Sequence, residues 1–217
     1  MTKKRAEMTQ VPGDDSILPF QLDRLNVRGR VARLDKTIDK ILSQHNYPPV
    51  VSGLVAEATL LTALIGQTIK LRDRFSIQVR GNGAVTMLAT DYFAPKGEGE
   101  AAEMRTYAAF DETQLTEGAE GIALLGEGLM GVTIDQGNGQ PYQGVTPLTG
   151  ESLAACAEVY FAQSEQIATR FALASAYSQE PGQEPHWRAG GVVIQHLPDA
   201  SPLMIAVPMH RGMAAQI

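Results

Sequence analysis

The sequence predicts an α+β domain built on antiparallel sheets, with one buried apolar helix. Three observations carry this. Short stretches of alternating apolar and polar residues are joined by hairpin turns at Gly81-Asn82-Gly83 and Gly137-Asn138-Gly139, not by regularly interleaved helices. The run from Val50 to Leu71 is apolar nearly all round over a helix's length, the pattern of a helix packed on every side. The stretch from Gly150 to Arg170 begins at helical spacing and ends in two-residue alternation, so a packed helix hands the chain to a sheet. At 217 residues, 44% hydrophobic and 19% charged, the chain has enough apolar material for one such core.

Residues 1–15 are charged, have no apolar segment of signal-peptide length, and read as a mobile N-terminal tail in which Asp14 and Asp15 are solvated. Residues 16–34 read as an extended segment with a bulge or bend around Asn26 and Gly29. Arg24, Arg28 and Arg30 would share one of its faces and Arg33 the other, as on a solvated surface. Asp35 suits the N-cap of a short helix whose apolar stripe is Ile38, Ile41 and Leu42. Asn46-Tyr47-Pro48-Pro49 ends that helix, because proline disfavours helical backbone at the residue before it.

The long apolar helix follows. Its one carboxylate, Glu57, reads as a rim or hydrogen-bonded charge, since a buried carboxylate must be paired. Strands are expected at Phe75 to Val79, Val85 to Phe93, Met104 to Phe110, Leu129 to Asp135 and Tyr142 to Leu148. Leu115 to Gly128 is ambiguous between a short helix and a Gly-rich corner. Beyond the central helix, strands at Phe171 to Tyr177 and Gly190 to Leu197 flank a polar loop from Ser178 to Pro185. The folded domain is therefore placed at residues 16–197.

Within the central stretch, Leu153, Cys156, Ala157, Tyr160, Phe161 and Ser164 recur on one helical face, with Glu151, Glu158 and Glu165 opposite. Gly150 and Glu151 suit the helix start, where unpaired N–H groups and the dipole favour negative charge. Cys156 has apolar neighbours on that face, which raise a thiol's pKa, so it reads as a structural core cysteine.

Several function classes are disfavoured. A net charge of −6 argues against general nucleic-acid binding, which needs concentrated Lys and Arg. The apolar run contains Ser52, Gly53, Glu57, Thr59, Thr62 and Gln67, too polar for hydrocarbon, so no membrane partner is expected. A single cysteine excludes an internal disulfide framework and fits a reducing, cytoplasmic setting. No Gly-x-Ser-x-Gly elbow or triad context appears, and His45, His186, His196 and His210 lack paired ligand spacing. Neither an enzyme nor a metal site is expected. His186-Trp187-Arg188 joins polar and aromatic groups, as a binding patch would, but reads more simply as a loop leading into a strand.

The same stretches carry a resemblance. Gly150-Glu151-x-Leu153-Ala154-Ala155-Cys156, Tyr160-Phe161-x-x-Ser164-Glu165-Gln166 and Thr169-Arg170 resemble the signature of the redox-regulated heat-shock holdases, the bacterial thirty-three kilodalton chaperonin family. Val27-Arg28-Gly29-Arg30, Tyr47-Pro48, Ile77 to Gly83, Tyr142-Gln143-Gly144-Val145 and Ala189 to Gln195 match the family's pattern in the same order. The resemblance implies an α+β core of stacked, mainly antiparallel sheets covered by helices, an ATP-independent chaperone that holds unfolded client proteins under oxidative or heat stress, and a homodimer. It also implies a linker and a C-terminal module whose four cysteines hold zinc when reduced. This chain ends at Ile217 with Cys156 as its only cysteine, so those ligands are absent, no cofactor is expected, and residues 198–217 read as a divergent or truncated linker tail.

Two sites follow as expectations. Gly190-Gly191 would be the hinge of a strand, with Val192, Val193 and Ile194, that completes either its own sheet or that of a partner subunit. The apolar tail residues Leu203, Met204, Ile205, Val207 and Met209 would contact clients, with activity constitutive because so short a tail gains little contact on ordering. The alternative is a small-ligand binder or an enzyme built on the same core.

Overall fold

The computed structural model describes residues 13–97, 99–179, 182, 184–197 and 215–216. Two antiparallel five-stranded sheets enclose a long helix. The first sheet contains β1 (Ser16–Leu22), β2 (Val27–Leu34), β8 (Thr169–Ser178), β9 (His186–His196) and the two-residue β10 (Ala215–Gln216), in the order β10-β1-β2-β9-β8. The second contains β3 (Arg74–Gly81), β4 (Val85–Phe93), β5 (Glu103–Phe110), β6 (Gly128–Asp135) and β7 (Tyr142–Pro147), in the order β5-β4-β3-β6-β7. Among the described residues, three helices, α1 (Lys36–Leu42), α2 (Pro49–Thr68) and α3 (Leu153–Tyr160), complete the α+β architecture.

Helix α2 starts with Pro49 in its first turn, where the missing N–H would be unpaired anyway. It packs against strands of both sheets, which is why Val51 through Gly66 are buried on nearly every side. By length and hydropathy it could cross a membrane, but 78% of its apolar window is buried inside this fold. Thr59 Oγ1 bonds the Val55 carbonyl and Thr106 Oγ1, each at 2.7 Å, whereas the buried Thr62 Oγ1 finds no hydrogen-bond partner among the described residues.

Between Phe75 and Leu148 the expected strands and the observed ones agree to within a residue or two. The ambiguous stretch after Leu115 holds a single 3-10 turn at Gly121–Leu124. The extended segment 16–34 is a hairpin, turning through Asp23–Leu25 and a left-handed Asn26 (φ 50°). Gly29 is not a bend but lies inside β2, where a Cβ would come within 2.4 Å of the Phe20 ring. Arg28 and Arg30 share the inward face of β2 and are half-buried, contrary to a solvated surface, while Arg24 sits in the turn. Arg28 Nε donates to Gln195 Oε1 at 3.2 Å, and burial lowers the Arg30 pKa.

The start of α1 corrects two expectations. Asp35 precedes the helix, but its side chain makes no cap. Asp15 makes it instead from a left-handed backbone (φ 59°), its carboxylate accepting from the N–H groups of Asp35, Lys36 and Thr37 at 2.9–3.1 Å. Asp35 is drawn to the strand side, 3.0 Å from His186 Nε2 and 3.1 Å from Arg188. Asp14 pairs with Arg33 at 2.6 Å and Arg188 at 3.0 Å. Neither residue belongs to a solvated tail.

Helix α3 is capped by Ser152, whose Oγ accepts from the Ala155 N–H at 3.1 Å, rather than by Gly150 and Glu151. Leu153, Cys156, Ala157, Tyr160 and Phe161 are all buried. A π-helical turn over Phe161–Glu165 then widens the helix and rotates Ser164 into solvent, off the face that straight helical spacing assigns it.

Candidate functional site

Strand alternation divides the first sheet into two unlike faces. Ile17, Ala32, Leu34, Val193, Phe171 and Ala189 point to the helices and are buried. On the opposite face the register aligns Leu18, Val31, Val192 and Ala172 in one row, and Phe20, Gly29, Ile194 and Arg170 in the next. Leu22, Val31 and Ile194 are 47%, 42% and 39% exposed. The result is an apolar surface across four strands, wider than singly scattered surface residues require. Charges frame it: Arg33 pairs with Asp14, and Arg170 pairs with Glu158 at 3.2 Å. The second sheet's outward face also exposes Tyr107, Leu129 and Val145. There, Asp91, Arg105, Gln78 and Arg80 interrupt the apolar groups.

The expected hinge falls inside this sheet. Gly190 and Gly191 lie mid-strand in β9, paired with β2 on one side and β8 on the other. Gly191 faces inward, where a Cβ would meet the Ala172 carbonyl oxygen at 2.6 Å and Leu60 Cδ2 at 3.0 Å. Its missing side chain lets α2 approach the sheet. Val193 is buried, whereas Val192 and Ile194 belong to the exposed face. Leu203, Met204, Ile205, Val207 and Met209 lie outside the described residues. The exposed face itself was half legible: Phe20, Leu22 and Val31 stand out as alternating apolar residues, but alternation does not reveal which side has helices to bury it.

Cys156 is fully buried, and its thiol donates to the Thr149 carbonyl at 3.2 Å. Burial pushes its pKa up, against thiolate chemistry. A bulky thiol reagent is therefore expected to label it slowly in the folded protein and promptly in denaturant. Prompt native labelling would contradict the packing.

The architecture is shared with a solved chaperonin. The crystal structure of the 33 kDa chaperonin from Thermotoga maritima matches at a TM-score of 0.71 over 85% of this chain and 62% of that one, a likeness of fold at 20% identity. The sequence adds the family. The model described as Hsp33 protein matches residues 15–214, and this chain belongs to that family. A relative from Caulobacter vibrioides, named 33 kDa chaperonin, is 43% identical over 189 residues, covering 84% of this chain and 60% of the relative. One of the same name from Shewanella loihica is 33% identical over 184 residues, covering 85% and 59%. The chain thus spans about three-fifths of these relatives' length.

The zinc that the resemblance implies does not fit the residues of this chain. Its single cysteine is the buried Cys156, and among the described residues no group of three or more His, Cys, Asp or Glu side chains could hold a metal.

Proposed function

We propose that this chain is a nucleotide-independent holdase core that captures apolar segments of unfolding proteins on the outward face of its first sheet. The observation that carries the reading is the continuous apolar surface around Leu18, Phe20, Val31, Val192 and Ile194. Covering the remaining exposed surface of such side chains contributes on the order of 1 kcal/mol each, so several contacts together hold a client without nucleotide chemistry. Membership of the Hsp33 family, whose relatives are named chaperonins, supports it. On this reading activity is constitutive, in keeping with the buried Cys156 and with no zinc-ligand cluster among the described residues. A homodimer belongs to the same reading.

The test is light scattering from a thermally unfolding client mixed with the chain. Aggregation is expected to be suppressed near stoichiometric ratio, equally with dithiothreitol, peroxide or a chelator. Failure to suppress would remove the holdase reading. Strong activation by peroxide would place a redox switch in these 217 residues.

A further inference from the structure

Where α2 begins, its first turns cross the ends of β8 and β9 and leave a notch of about 350 Å³. Tyr177 and Trp187 line it with rings 5.6 Å apart and inclined at 50°. Gly53 and Ser175 also line it, with Ser175 Oγ donating to the Gly53 carbonyl at 3.4 Å. Glu57 and Glu120 supply two carboxylates, and no Lys, Arg or His contributes to the lining among the described residues.

Glu57 is the unusual member. It is half-buried on the core helix and makes no hydrogen bond or ion pair with a described residue. Sequence reasoning expects such a carboxylate to be paired, because a desolvated charge without a partner is unfavourable. Burial accordingly raises its pKa.

The chemistry of the notch selects its ligand. An anion would meet two carboxylates, and a neutral apolar group would leave Glu57 further desolvated. A bare metal ion lacks ligands, since no group of three donors exists among the described residues. An organic cation satisfies every feature, as aromatic faces attract it and a carboxylate accepts its N–H groups in charge-assisted hydrogen bonds. Tyr177 is 62% exposed, so the notch opens to solvent and admits a side chain that remains attached to a peptide.

We propose that the notch formed by Glu57, Glu120, Tyr177 and Trp187 binds the basic side chain of a peptide, a lysine ammonium or an arginine guanidinium. This site stands independently of the holdase reading, because it lies on the inward side of the sheet and needs no unfolded client.

Trp187 is the only tryptophan, so its emission reports occupancy directly. Capped alanine tripeptides with a central lysine or arginine are expected to change that emission saturably. The norleucine peptide, which keeps the four-carbon chain of lysine without the ammonium, should bind about tenfold more weakly or worse, and Glu57→Gln should lower lysine-peptide affinity by a similar factor. Affinity should fall as pH drops through the raised Glu57 pKa, starting at higher pH than an ordinary carboxylate would show. Thermal melts check the fold of Glu57→Gln, and Glu120→Gln provides the same comparison if that variant unfolds. Equal binding of norleucine and lysine peptides, affinity indifferent to the carboxylates, or a response to spermidine with none to either basic peptide would each overturn the proposal.

Discussion

Leu60→Ala is expected to lower the free energy of unfolding by about 3–5 kcal/mol, the upper range for a leucine truncated in a rigid core. Leu60 has no exposed surface, lies in the middle of α2, and its Cδ2 sits over Gly191 of β9. Two costs add: the transfer free energy of the lost atoms and the cavity left behind. That cavity cannot close easily, because α2 is held from one side by the first sheet and from the other by the second. A small domain is stable by only about 5–15 kcal/mol, so this single change removes a large share. Urea unfolding should show a lower midpoint with an unchanged slope. Val50→Ala, at a half-buried position of the same helix, should cost well under half as much. A loss below about 1 kcal/mol for Leu60→Ala would mean that α2 is not the packed centre of the fold.

What the sequence revealed and what it hid divide along physical lines. Local signals were readable: the all-round apolarity of α2, the Gly-Asn-Gly turns between β3 and β4 and between β6 and β7, and the amphipathic face around Cys156 all follow from neighbours in the chain. Long-range partners were not. The cap of α1 is Asp15, some twenty residues before the helix, and it reaches the helix only because Asn26 folds β1 back along β2. Gly190-Gly191 suggests a hinge when read alone. In the sheet both glycines are pinned by two neighbouring strands, and Gly191 is required by the approach of Leu60.

The candidate sites follow the same division. That Val31 and Ile194 alternate with buried residues is visible in the sequence, but which face lacks helices is decided by the stacking of layers. Glu57 and Trp187 lie 130 positions apart and converge only where α2 crosses β9. The tripeptide His186-Trp187-Arg188 showed its mixed chemistry, yet strand alternation sends its members to different faces. His186 and Arg188 meet Asp35, while Trp187 enters the notch beside α2.

Val31→Asp combined with Ile194→Asp is expected to abolish aggregation suppression while leaving the fold intact. Both side chains are already partly solvated, at 42% and 39% exposure, so their replacement should change stability by no more than about 1 kcal/mol. The effect on a bound client is much larger. Two apolar contacts worth on the order of 1 kcal/mol or more are lost, and two carboxylates must be desolvated beneath the client. Together these weaken capture by about a hundredfold. Leu129→Asp with Val145→Asp places the same charges on the outward face of the second sheet, where polar residues already interrupt the surface, and should leave suppression unchanged. Sedimentation of the first pair separates two ways for it to lose activity. If the charged face has only lost clients, the oligomeric state stays that of the parent chain; if the same face joins two copies, monomers appear together with the loss. Full suppression by Val31→Asp/Ile194→Asp, at unchanged thermal stability, would show that clients are held elsewhere.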